Sequence, residues 1–110
     1  NILFTYELAR RLEGSGVTVN ALHPGFVATN FGISNGGIFK PVFRLFQVMA
    51  VTPEQGAQTI LHLAASPEVE GVTGQYFERC RPVRSSPVSY DRGLALSLWD
   101  ASMQMTGLEK

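Results

Sequence analysis

Apolar positions recur along the chain with two different periods, and these periods predict helices and strands. A broad helical face of apolar side chains predicts an opening helix at residues 1–13, which the Gly-Ser-Gly sequence at 14–16 ends. Short β-branched or aromatic runs predict strands at 17–22 and 72–78. The chain therefore opens with a helix and places its two predicted strands far apart in sequence.

Further helices are predicted between and after the two strands. The Thr-Pro-Glu sequence that opens residues 52–65 favours a helix start, because threonine caps, proline fits the first turn and glutamate suits the helix dipole. A last helix is predicted at 90–105, with a buried face made of Leu94, Leu98, Trp99 and Met103. The residues at 79–87 are rich in arginine, proline and serine, and they predict a loop.

This order of helices and strands indicates an α/β fold that is incomplete. Two strands cannot form a doubly wound sheet, and the opening helix has no strand before it. A chain of 110 residues could bury a core of its own, but these elements do not close around one. We therefore expect residues 1–110 to be one portion of a single larger domain.

The sequence His-Pro-Gly-Phe-Val-Ala-Thr-Asn at 23–30 follows directly on the first predicted strand. Pro24 fixes its own φ, and Gly25 lets the backbone approach a bound group closely. Ligands of open α/β sheets bind at the carboxyl ends of strands, so this turn is a candidate ligand loop. His23 precedes a proline and is therefore expected to be extended and to support the turn, without acting as an acid or base.

Several motifs in this order resemble the C-terminal part of a short-chain dehydrogenase/reductase. They are His-Pro-Gly-Phe-Val-x-Thr at 23–29 and the later Gly-x-Tyr-Phe strand. The tail is similar to the retinol-dehydrogenase-like branch, through Tyr-Phe-x-x-Cys-x-Pro at 76–82, Leu-Trp-x-x-Ser at 98–102 and Thr-Gly-Leu at 106–108. The resemblance covers essentially the whole chain. It implies the C-terminal part of a doubly wound parallel-sheet (Rossmann) fold, on the nicotinamide and substrate side of a dinucleotide-binding domain.

By this resemblance, Thr29 and the backbone of Val27 hold the nicotinamide carboxamide, while Pro24 and Gly25 let the ring approach. The resemblance favours NADP as cofactor, with NAD as the alternative. No glycine-rich loop that could cradle phosphates follows a strand, and the family's Tyr-x-x-x-Lys pair and catalytic serine are absent. The nearest match pairs Tyr6 with an arginine, so we assign no catalytic residue within this chain.

Residues 38–51 form an aromatic, weakly basic segment after a glycine-containing stretch at 32–37. One interpretation is a lid over an apolar substrate, with Phe39, Phe43 and Phe46 as substrate-binding residues. An ordinary amphipathic helix that covers the core is a second interpretation. A helix lying on a membrane surface is a third, because basic side chains flank the apolar face.

Composition and charge limit the classes of partner that the chain is expected to bind. Nine basic and nine acidic residues give a net charge of zero, which gives no electrostatic signature for nucleic acid. Two histidines without acidic residues at ligand spacing make a metal site improbable. The single cysteine, Cys80, fits a reducing compartment such as the cytoplasm, and no run of 18 apolar residues predicts a membrane span. The wide apolar face of the first helix fits either a homodimer interface or burial in a monomer core.

Together these observations predict a fragment of an NAD(P)-dependent oxidoreductase that transfers a hydride between the nicotinamide and a lipophilic alcohol, aldehyde or ketone. The expected location is cytoplasmic, with membrane association as an alternative. The competing interpretation is a truncated product without catalytic activity, which serves only as an interaction module through its apolar faces.

Overall fold

A computed structural model describes residues 1–25 and 52–108. Three helices and three short strands occur there, together with 3-10 turns at Pro67–Val69 and Pro87–Tyr90. In chain order the elements are α1 (Ile2–Arg11), β1 (Ala21–His23), α2 (Pro53–Ala65), β2 (Tyr76–Glu78), β3 (Arg81–Val83) and α3 (Arg92–Thr106).

The three strands form one mixed sheet in the order β1-β2-β3. β1 runs parallel to β2, and β2 runs antiparallel to β3. Both predicted strands are present but shorter, and β1 ends at His23, one residue beyond the predicted bound. The α/β class is confirmed for the part of the chain that the structure describes. The loop predicted at 79–87 is wrong in part, because β3 lies within it. Pro82 can sit in β3 because an edge strand tolerates a residue without a backbone donor.

Asn20 fixes the register of the parallel pair from just before β1. Its Nδ2 donates to the Val72 carbonyl at 2.7 Å, and its Oδ1 accepts from the Gln75 amide at 3.0 Å. The Gly74 amide donates to the Val19 carbonyl at 2.8 Å and extends the pairing beyond the assigned strands. The sequence motifs did not reveal this clamp, because a lone asparagine before a strand carries no recognisable pattern.

The helices pack on this sheet and on each other. Phe77 of β2 is 2% exposed and meets His62 of α2, with ring centroids 6.3 Å apart. On α1, Phe4 stacks on Trp99 of α3 at 5.1 Å, and the Arg11 guanidinium lies 4.3 Å from the centre of the Trp99 ring. Trp99 is therefore a packing anchor between two helices, as its aromatic character predicts.

The buried face predicted for α3 is wrong in two of its four residues. Leu94 and Leu98 are 46% and 38% exposed, whereas Ala95 is 1% exposed. The small side chain of Ala95 lets α3 approach its neighbours closely, with Trp99 one turn further along the same face. Leu94 and Leu98 share the same four-residue spacing on an adjacent stripe, so periodicity alone could not separate the two faces.

The start of α2 is confirmed as predicted. Thr52 accepts a hydrogen bond from the Gln55 amide, and the Gln55 side chain accepts one from the Thr52 amide, which completes a capping box. The helix ends at Ala65, and Ser66 then caps the 3-10 turn that follows.

Candidate functional site

The turn after β1 is organised by His23. Its Nδ1 accepts a hydrogen bond from the Gly25 amide at 2.8 Å, and Gly25 has φ of +82°. The acceptor nitrogen carries no proton, so the proton of the neutral ring lies on Nε2. All three residues of the turn, His23, Pro24 and Gly25, are exposed. The supporting role predicted for His23 thus has a specific geometry, and the turn offers an open surface without a Cβ at its tip.

A second loop lies at the same edge of the sheet. The parallel register pairs His23 with Glu78, so the carboxyl ends of β1 and β2 lie side by side. A two-residue turn, Arg79-Cys80, then leads from β2 into β3. The edge at which ligands of open α/β sheets bind therefore carries both the Pro-Gly turn and this hairpin tip.

The hairpin tip has an unusual backbone. Arg79 and Cys80 have φ of +49° and +61°, in the left-handed region that a two-residue hairpin turn of type I′ requires and that asparagine or glycine normally fills. Thr59 of α2 holds the turn: its Oγ1 accepts from the Cys80 amide at 3.1 Å, and its side chain is buried with the residue 4% exposed. A buried hydroxyl thus fixes a strained turn, and sequence analysis missed both.

Arginine side chains surround this tip. Arg79, Arg81 and Arg84 are all exposed, and the first two line a cleft of about 560 Å³ together with Glu78 and Val83. Among the residues that the structure describes, salt bridges join only Glu7 to two arginines of α1. The Glu78 carboxylate instead accepts from the Tyr76 hydroxyl at 3.1 Å. Burial, together with the bond to Glu78, raises the pKa of Tyr76 above its usual value.

The near match to the catalytic pair is explained by packing. Tyr6 is 7% exposed, stacks on Tyr90 and shares a 2.8 Å hydrogen bond with Ser85. Burial raises the pKa of Tyr6, which is the opposite of what an activated phenol needs. Arg10 donates to Glu7, so Tyr6 and Arg10 are not available to act as a proton-transfer pair.

A separate cleft of about 310 Å³ lies between α1 and the residues that precede β2. Tyr6, Ala9, Gly74 and Tyr90 contribute to its lining. Because Gly74 comes before β2, this cleft lies toward the amino ends of the parallel strands. It is therefore distinct from the edge that carries the Pro-Gly turn.

Of the predicted site residues, Pro24 and Gly25 lie at the carboxyl edge of the sheet. Val27, Thr29 and the phenylalanines predicted to bind substrate, Phe39, Phe43 and Phe46, lie outside the described residues. Within residues 1–25 and 52–108, no group of three or more His, Cys, Asp or Glu side chains is arranged to hold a metal ion. No helix in the same two ranges is long and apolar enough to cross a membrane.

Comparison with known proteins identifies relatives along the whole chain. The chain is 53% identical over 113 residues to retinol dehydrogenase 14 of Homo sapiens, an alignment that covers 100% of this chain and 34% of that protein. It is 41% identical to retinol dehydrogenase 11 and 40% identical to retinol dehydrogenase 13 of Homo sapiens, with 98% of this chain and 34% of each relative covered.

No family model matches the chain. The chain spans about a third of the length of the curated relatives it matches. These relatives confirm the predicted resemblance of the chain to the retinol-dehydrogenase branch of the short-chain dehydrogenase/reductases.

Proposed function

We propose that this chain is the nicotinamide and substrate side of an NAD(P)-dependent oxidoreductase acting on a lipophilic alcohol, aldehyde or ketone. The observation that carries the proposal is the turn at His23, Pro24 and Gly25, held by a side-chain hydrogen bond at the carboxyl end of a parallel strand. Identity to retinol dehydrogenases over the whole chain supports it, and their names point to a retinoid as substrate.

The Pro-Gly turn fits a flat ring. Gly25 has no side chain, and its positive φ turns the backbone away from the strand. A nicotinamide, when bound, would supply or accept the hydride, and the chain would hold its carboxamide through Thr29 and the Val27 backbone. The role of His23 is to keep the turn in place before the ligand arrives, which lowers the ordering cost of binding.

We further propose that the chain forms the C-terminal part of a Rossmann domain, with the other strands supplied from outside this sequence. In the described residues, β1 has no strand on the edge opposite β2. Large apolar side chains are also exposed on the helices, among them Ile60, Leu61 and Met105 at 51%, 63% and 88%. Exposed apolar surface of this kind indicates missing neighbours.

The proton-transfer pair and the loop that binds the cofactor phosphates would then lie in the rest of the protein. NADP is the favoured cofactor by family resemblance. Phe39, Phe43 and Phe46 are proposed to contact the hydrocarbon part of the substrate. The alternative function, an inert interaction module, would use the same exposed apolar side chains without any chemistry.

The test uses the whole protein that carries this chain, with retinal and NADPH as substrates and NADH as the comparison. We expect reduction of retinal, and Thr29→Ala should lower kcat/KM by about 5- to 30-fold, the equivalent of about 1–2 kcal/mol for one lost hydrogen bond. Thr29→Ser keeps the hydroxyl and serves as the matched control. A whole protein that neither binds nor oxidises either cofactor would favour the interaction module.

A further inference from the structure

The hairpin that follows β2 presents positive charge that the proposed chemistry does not use. We infer that the hairpin of β2 and β3, together with Arg84, is a docking surface for anionic lipid headgroups. We call this surface, made by Arg79, Arg81, Val83 and Arg84, the arginine hairpin.

Charge is the first argument for this surface. The chain as a whole has no net charge, yet three arginines fall within six residues and all three are exposed. No salt bridge involves them among the described residues. Among the described residues, the acidic side chain that shares their cleft is Glu78, and Tyr76 already donates to its carboxylate. The local charge is thus positive and available to phosphate groups, which guanidinium ions bind well.

Rigidity is the second argument. A turn with two non-glycine residues in the left-handed region is strained, and such strain persists where the surrounding structure holds it for a function. Here the Thr59 hydroxyl oxygen of α2 accepts a hydrogen bond from the Cys80 amide. The tip is therefore anchored to α2, with Arg79 at the tip and Arg81 at the start of β3.

Apolar exposure beside the charges favours a lipid surface over a small soluble anion. Val83 lines the same cleft as Arg79 and Arg81 and is 37% exposed. Arginine beside valine is the composition of a surface that contacts headgroups and the upper acyl region together.

The position of the arginine hairpin links membrane docking to substrate access, and this step rests on the proposed function. The hairpin tip lies at the carboxyl edge of the parallel pair, where Glu78 pairs with His23 beside the proposed nicotinamide turn. Docking that edge on a membrane would place the substrate opening against the phase in which a lipophilic alcohol or aldehyde dissolves. Substrate could then enter without crossing water.

The experiment measures co-sedimentation of the whole protein with vesicles of phosphatidylcholine alone and of phosphatidylcholine with phosphatidylserine. The variant Arg79→Gln/Arg81→Gln/Arg84→Gln should bind the anionic vesicles at least tenfold more weakly, since each arginine near such a surface contributes about fivefold, or about 1 kcal/mol. Neutral vesicles should show no difference. Raised salt should remove the difference as well, because the Debye length shortens.

Two control proteins make the result specific. The variant Arg79→Lys/Arg81→Lys/Arg84→Lys keeps the charge and should retain most of the binding, whereas Arg92→Gln removes an exposed arginine of α3 and should change it less than Arg81→Gln. Equal vesicle binding by the wild type and the triple glutamine variant would overturn the inference. So would binding of inorganic phosphate that the glutamine variant loses without any change on vesicles.

Activity assays separate this inference from the proposed function. Turnover of a short, water-soluble carbonyl should be the same in the wild type and the triple glutamine variant, while turnover of retinal held in anionic vesicles should fall in the variant. Vesicle binding without any NAD(P)-dependent turnover would remove the proposed function and leave the docking surface. Turnover with unchanged vesicle binding in the variant would do the reverse.

Discussion

At the scale of single residues, the best-defined contact is the one between the His23 ring and the Gly25 amide. The sequence indicated a turn from Pro24 and Gly25 but could not show that His23 accepts a hydrogen bond, because histidine before proline has no fixed partner. This geometry is the one that asparagine adopts in an Asx turn, where the side chain accepts from the amide two residues on. The histidine thus acts as a longer version of a familiar turn residue.

We therefore predict that His23→Asn preserves the turn and that His23→Ala does not. In the whole protein, the alanine variant should bind NADPH about fivefold more weakly, the equivalent of about 1 kcal/mol for one hydrogen bond. The asparagine variant should stay within about twofold, because its amide oxygen can accept from Gly25. Calorimetric titration gives both values, and equal losses in the two variants would show that the ring itself, not its acceptor, matters.

Glu7 is the second residue with a defined electrostatic role. It is 4% exposed and accepts from Arg10 at 2.8 Å and from Arg11 at 2.7 Å. The Arg10 hydrogen bond, with the Arg11 bond, lowers the pKa of Glu7 below its ordinary value although burial opposes this. The arginines lie about 40% exposed, so the pair is partly screened by water. The carboxylate links two neighbouring turns of α1.

A lowered folded pKa means that protons bind preferentially to the unfolded state. The stabilisation from Glu7 should be complete above the ordinary pKa of 4.5 and should disappear as the pH falls below it through the folded value. We predict that Glu7→Gln costs about 1–3 kcal/mol at pH 7 and flattens the acid limb of the stability profile. Denaturant unfolding at a series of pH values measures both. Glu13→Gln, at an exposed position, is the control and should leave the free energy of unfolding at pH 7 close to that of the wild type.

At the scale of elements, the sequence predicted structure correctly where neighbouring residues alone determine it. The start of α2 and its threonine cap were predicted from the Thr-Pro-Glu sequence, whereas the reciprocal bond from Gln55 that completes the capping box was not. β3 was missed because Arg81, Pro82 and Val83 have low strand propensity, and the strand exists through pairing with β2. The α3 face was wrong because two stripes share one spacing. Tertiary contacts determine whether such a strand forms and which stripe of a helix is buried. The sequence pattern does not reveal those contacts.

The parallel pairing of β1 and β2 should depend on Asn20. We predict that Asn20→Ala costs about 1–3 kcal/mol, since two hydrogen bonds are lost and backbone groups of Val72 and Gln75 are left without their partner. Asn20→Asp should cost at least as much, because a carboxylate would face the Val72 carbonyl. Thermal unfolding of the whole protein measures both. Thr18→Ala, two residues away and exposed, is the control, and a loss there equal to that of Asn20→Ala would contradict the role of the clamp.

At the scale of the whole molecule, the described residues form a thin core. Its buried apolar members are Tyr6, Ala9, Phe77 and Ala95, two of which are alanines. The number of strands in the sequence predicts an incomplete unit, and this stays a prediction; in the described residues β1 pairs with β2 alone. The nicotinamide contacts proposed for Val27 and Thr29 rest only on the family resemblance, because a hydroxyl after a Pro-Gly turn has no unique function by itself.

We predict that the 110-residue chain on its own neither turns over retinal nor binds NADPH. The sequence has no glycine-rich motif between a predicted strand and a helix, and phosphate contacts at a helix start normally carry much of dinucleotide affinity. Isothermal calorimetry of the isolated chain with NADPH checks this, with the whole protein as positive control. Binding in the micromolar range would contradict the prediction and would place the cofactor site within this sequence.

At the left-handed turn of Arg79 and Cys80, selection for stability and selection for positive charge favour different residues. Glycine at position 79 would relieve about 1–2 kcal/mol of backbone strain and make the hairpin more stable. It would also remove a charge from the arginine hairpin. A screen for thermal stability alone should therefore enrich Arg79→Gly. The selected proteins would be more stable in solution but would bind less often to the membranes in which their proposed substrate dissolves.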